Sequence, residues 1–181
     1  MEYTTFRRKT GSATGQMFFA TFGTLWMTGW CLQSHGPDLP TLALIAFAGT
    51  TIFLWAWSEL RRGNADLDKP VDPSLYKAQQ RTFRLVNLTQ WIVIVAAAST
   101  LNATGHARWI VPSTILIVGL HFMPLARLFR SPRHYVIGAG LTVVALAYPW
   151  MAGSGPDYPI GEFATGGILW VGALYGFMGS R

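Results

Sequence analysis

Charge is scarce in this chain, and its scarcity is the first constraint on what the molecule can be. Only 12% of the 181 residues are Asp, Glu, Lys or Arg, against roughly 25% in an average soluble domain. The charges that exist are segregated between long apolar runs, the pattern of helices placed in lipid. Cysteine is nearly absent. Cys31 stands alone, which excludes an internal disulfide and any cysteine-built metal cluster. Catalytic signatures are missing too: there is no Gly-x-Ser-x-Gly and no His-Glu-x-x-His. The glycines near the C-terminus follow no strand and precede no Lys-Ser/Thr pair, so they are not a phosphate loop. No cofactor motif is present, and neither a cofactor nor a resident metal is expected.

What the chain has in quantity is apolar surface. Hydrophobic residues make up 51% of it, with eight Trp and eleven Phe. Six stretches read as helices, at about 16–33, 39–58, 73–102, 108–129, 134–152 and 160–179. The expected fold class is therefore all-α: one polytopic membrane domain, a bundle of six transmembrane helices in three sequential hairpins. Basic Arg7, Arg8 and Lys9 before apolar Met17–Leu32 resemble a signal peptide. No small-x-small cleavage site follows, so this run reads as a retained anchor. Pro40 stands near the start of the second helix, where a missing N–H costs least, and Trp55 and Trp57 mark an interface at its end. Asp72-Pro73 supplies an N-cap and a first-turn proline for the third helix. That helix then has no breaker until Asn102 or Gly105, about 30 residues on, longer than the bilayer core requires.

Charge gives orientation. The N-terminus, the 2–3 loop, the 4–5 turn and the C-terminus hold thirteen of the Lys and Arg residues, and the opposite side holds only Arg108. By the positive-inside rule both termini are cytoplasmic, in a multi-pass protein of the inner (plasma) membrane. The same distribution disposes of a nucleic-acid partner. The net charge of +6 decorates one membrane face and is explained by lipid.

One stretch concentrates intramembrane polarity: Gly119-Leu120-His121-Phe122-Met123-Pro124-Leu125-Ala126-Arg127. Pro124 has no N–H, so the Leu120 carbonyl loses its helical partner, and a helix break is expected between Gly119 and Pro124. His121 beside it must face other helices or a wet cavity, because lipid satisfies neither ring nitrogen. Asn87 and Gln90 in the antiparallel third helix fall at the same depth, roughly 6–10 Å below the cytoplasmic surface. Extending their face backward reaches Arg84, then Arg81 or Gln80, and Lys77. One reading is a cytoplasm-facing site for ligand binding or proton relay built from His121, Asn87, Gln90 and Arg84. The other is a hydrogen-bond clamp between two helices, a device that averages only about 0.6 kcal/mol in membranes.

On the outer side lie His35, Asp38, His106, Asp157 and Glu162. They come from separate loops without the pairing a metal site uses, and solvated loop residues explain them. Glu162 is the exception: in the first turn of its helix it suits the dipole, and if buried it becomes a candidate proton or cation group. Gly172 and Gly176 form a small-xxx-small pair suited to close packing within the bundle or between protomers.

The function expected first is a small solute or ion transporter or channel. The alternatives are an accessory or assembly subunit of a larger membrane complex, and an intramembrane enzyme acting on a lipid or quinone. The enzyme needs a second catalytic group near His121, and none is visible. The expected partners are the lipid bilayer and either further copies of the chain or a larger membrane complex.

Overall fold

Prolines and glycines set where the helices begin and end. In the computed structural model, backbone is described for residues 2–65, 73–129, 131–151, 153 and 155–178, and side chains for 14–62, 80–129, 131–151, 153 and 155–175. The architecture is all-helical: α1 Glu2–His35, α2 Leu39–Ala65, α3 Pro73–Ala103, α4 Ile110–Phe129, α5 Pro132–Met151 and α6 Ile160–Met178. Asp38 caps α2, its carboxylate accepting the Thr41 N–H at 3.0 Å. This N-cap satisfies a donor the helix itself leaves unpaired. At the end of α3, Gly105 takes φ 75°, and the His106 N–H reaches back to the Leu101 carbonyl at 2.7 Å. That left-handed closure is one glycine adopts without strain. Pro132 opens α5 at its first position, where a proline is pre-organised for a helix.

Among the described residues, four segments are long and apolar enough to cross a membrane: Leu39–Arg62, Gln80–Ala103, Ala107–Phe129 and Pro132–Met151. Ile160–Tyr175 is a shorter apolar helix. The apolar run of α1 is diluted by Thr21, Thr24 and Thr28 and is not among the four. α1 also begins earlier than its apolar run, because no proline stands before Pro37 to stop it. Arg7, Arg8, Lys9, Lys69, Lys77, Arg130 and Arg181, on which the orientation reading partly rests, lie outside the residues with described side chains.

The chain divides into two units, Met1–Lys69 with Glu162–Arg181, and Pro70–Gly161. α1, α2 and α6 from Glu162 onward fall in the first unit, and α3, α4 and α5 in the second. In the first unit Met27, Cys31 and Ile45 form the core, flanked by Trp30, Leu42 and Trp170. The Thr24 hydroxyl ties it together. It donates to the Ala20 carbonyl at 2.7 Å and accepts the Trp170 indole N–H at 3.4 Å, while Gly49 of α2 lies against it. α1 and α6 cross at Gly23 and Gly166, where a β-carbon on Gly166 would stand 3.0 Å from the Gly23 carbonyl oxygen.

In the second unit α4 is the middle helix, with α3 on one side and α5 on the other. Ile115, Phe122, Leu125 and Ala126 are buried on α4, and Ile137, Leu141 and Ala145 on α5. The two backbones touch at Gly119 and Gly138, where a β-carbon on Gly138 would lie 2.7 Å from the Gly119 carbonyl oxygen. Such crossings matter in a bilayer, where close packing replaces the hydrophobic drive between helices. Trp109 and Trp150 meet at one end of this unit with ring centroids 5.9 Å apart. Phe83 and Phe129 meet at 5.9 Å at the other.

Candidate functional site

The residues singled out around His121 all belong to the second unit. α3 shows a clean helical period: Phe83, Val86, Asn87, Gln90, Ile94 and Ala97 are half-buried, and the residues between them are exposed. The half-buried stripe is the one that packs on α4. The His121 imidazole lies near the Val86 backbone across that contact. The Asn87 amide donates to the Phe83 carbonyl of its own helix at 2.9 Å. Gln90 is half-buried on the same stripe, and Arg84 is exposed on another face. The polar stripe read from sequence thus divides: the amides turn toward α4 and the arginines turn away from it.

α4 continues as a helix through Pro124 to Phe129. Pro124 is exposed and Gly119 is buried, so Gly119 serves the crossing with α5. A β-carbon there would meet the Thr142 hydroxyl at 2.7 Å and the Thr142 nitrogen at 2.9 Å. His134, which the sequence did not mark out, is more deeply buried than His121, between Phe122 at 6.1 Å and Phe129 at 5.8 Å. Gly172 is buried in α6; the surroundings of Gly176 lie outside the described residues.

The first unit holds a different polar site. Glu162, in the first turn of α6, is only 6% exposed. It lies against Gly29 of α1: a β-carbon on Gly29 would stand 3.1 Å from Glu162 Oε2. The absence of a side chain at Gly29 is therefore what admits the carboxyl between the helices. Glu162 Oε1 accepts a hydrogen bond from the Gln33 side-chain amide, and Glu162 Oε2 has no partner among the described residues. Gln33 itself is exposed in the last turn of α1, so one hydrogen bond links a buried acid to the surface. Beside them Trp30 packs on Phe163 at 4.9 Å and on His35 at 5.3 Å.

A second oxygen is unpartnered on the same face of α6. Thr165 is fully buried and its hydroxyl has no hydrogen bond among the described residues; it follows Glu162 by three residues and so shares its face. Elsewhere helical threonines return their hydroxyls to the carbonyl four residues back, as Thr21, Thr24, Thr51, Thr114 and Thr142 do. Thr165 departs from that habit. Two buried oxygens without partners are costly unless something is bound there at some stage. Among the described residues no three His, Cys, Asp or Glu side chains converge as a metal site would require. Asp38, half-buried in the α1–α2 turn, keeps its carboxyl below the usual range through hydrogen bonds from the Thr41 hydroxyl and N–H.

No family model, no curated protein and no solved structure matches the chain.

Proposed function

We propose that the chain is an integral protein of the inner (plasma) membrane, crossing it six times with both termini in the cytoplasm. We further propose that it transports a small solute or ion, using Glu162 as its proton- or cation-binding group. The observation that carries this reading is the buried Glu162 carboxyl with one oxygen held by Gln33 and the other unpartnered. An ionised carboxylate sealed from water calls for a counter-charge or a proton. Glu162 Oε2 is where either would attach, and the Thr165 hydroxyl is a second oxygen on that face. On the proposed topology the start of α6 lies toward the non-cytoplasmic side, so the acid meets the external medium first through Gln33. His121, near the Val86 backbone, then serves as a packing contact between α3 and α4.

The test is ion uptake into proteoliposomes of the purified chain. With the membrane potential clamped, an inward proton or sodium gradient is applied, and internal pH or sodium is followed. Uptake above that of empty liposomes is expected for the native chain, with its loss in Glu162→Gln, which keeps the side chain's shape and hydrogen-bonding capacity. Native protein that passes neither ion, or a Glu162→Gln variant that passes it as well as the native chain, refutes the reading.

A further inference from the structure

The face of α3 turned away from α4 has a composition of its own. At the helical period, Arg81, Arg84, Leu85, Leu88, Ile92 and Val95 fall on one side of the helix. All are exposed, the four aliphatic residues between 54% and 60%. Arg81 and Arg84 have no carboxylate partner among the described residues. Together with Gln80, Leu85 and Leu88 they line an open hollow of about 340 Å³. The arginines stand where the apolar segment Gln80–Ala103 begins, which is headgroup depth whichever end of the helix is cytoplasmic. From Arg84 to Val95 the axial distance is roughly 16 Å at 1.5 Å per residue, close to the depth of one leaflet, about half of the ~30 Å hydrocarbon core.

We propose that this face binds an anionic phospholipid, its phosphate held by Arg81 and Arg84 and an acyl chain lying along Leu85, Leu88, Ile92 and Val95. Two guanidinium groups one turn apart present paired N–H donors that match phosphate oxygens. The Gln80 amide adds a neutral donor to the same hollow. Their positive charge, which meets no carboxylate among the described residues, selects a lipid of net negative charge over a zwitterionic one. The aliphatic row beneath gives the chain a track that a free phosphate would not use. The site rests on α3 lying in the bilayer and is independent of transport through Glu162, so either can fail alone.

Native mass spectrometry of the delipidated full chain, titrated with phosphatidylglycerol and phosphatidylcholine of identical chains, tests it. A preference for phosphatidylglycerol of about tenfold or more is expected, from roughly 1 kcal/mol per cation at the membrane surface. R81Q/R84Q should lose that preference. R108Q, which removes an exposed cation elsewhere in the same unit, should keep it. A phosphatidylglycerol with a photoreactive acyl chain should label residues 85–95 of the native protein, a readout that needs no variant. Equal binding of the two lipids by the native chain, an undiminished preference in R81Q/R84Q, or labelling confined to other helices overturns the proposal.

Discussion

Gly138→Ala tests the idea that the α4–α5 crossing is fixed by backbone contact. The added β-carbon would lie 2.7 Å from the Gly119 carbonyl oxygen and 2.9 Å from the Phe122 β-carbon. Neither neighbour is the free end of a flexible side chain, so the helices themselves must part. Restoring ordinary contact at 3.4 Å requires a shift of about 0.7 Å (3.4 − 2.7). A gap of that size forfeits a quarter to a half of the dispersion well for atoms on either side. Overpacking of this kind costs about 1–3 kcal/mol, and the better helix propensity of Ala returns up to about 1 kcal/mol. The net expectation is a loss of about 1–2 kcal/mol, a 5- to 30-fold fall in the folded-to-unfolded ratio. Gly167→Ala is the matched control, since its β-carbon would meet only Met27 Cε at 3.8 Å and should be neutral or mildly stabilising. Equilibrium unfolding of both variants in the same detergent or bicelle decides the matter. If Gly138→Ala unfolds no more readily than Gly167→Ala, the crossing is softer than its geometry implies and the reasoning fails.

Two further outcomes are expected. His121→Leu should cost roughly 0.6 kcal/mol, the average for an interhelical polar contact, and leave ion uptake intact; a well-folded variant without uptake would mean that His121 has a part in transport beyond its packing between α3 and α4. The Asp38 cap predicts a pH effect of definite sign. Its carboxyl is held below the usual range by the Thr41 hydroxyl and N–H, so its contribution is fully present above the ordinary Asp pKa of about 3.9 and is lost as pH falls through the lower folded value. Amide exchange at Thr41 and Leu42, corrected for intrinsic rates, should show protection falling in that acid range in the native chain and no such transition in Asp38→Asn.

Helix ends were legible in the sequence because they are written locally. Asp72-Pro73 and Gly105 each announce a boundary through the geometry of one or two residues, and α3 runs from Pro73 to Ala103 as expected, whereas α1 and α2, whose outer ends carry no such signal, run from Glu2 and to Ala65, past the expected limits of about 16 and 58. The apolar character of the bundle was legible for the same reason, since it is a property of composition. Which faces meet was not. Gly119 looked like part of a helix break because Pro124 is five residues away, whereas its role depends on Gly138 and Thr142 in another helix. Asn87 and Arg84 looked like one stripe because they are three residues apart, yet the boundary of the α4 contact passes between them. The burial of Glu162 depends on Gly29, and its hydrogen bond comes from Gln33, 129 residues away in the chain. No periodicity within α6 encodes either partner.

The sealing of Cys31 has a practical consequence. The thiol is fully buried, in the core that α1 shares with α2. To a water-soluble maleimide the folded protein should behave as though it had no cysteine at all. Cysteines introduced one at a time elsewhere can then be labelled from either side of a vesicle without first removing the native one. The native thiol in turn becomes an intrinsic reporter, reacting only when the helices around it separate. A labelling rate that rose under an imposed ion gradient would register motion in the helices that carry Gln33 and Glu162 without altering a single residue.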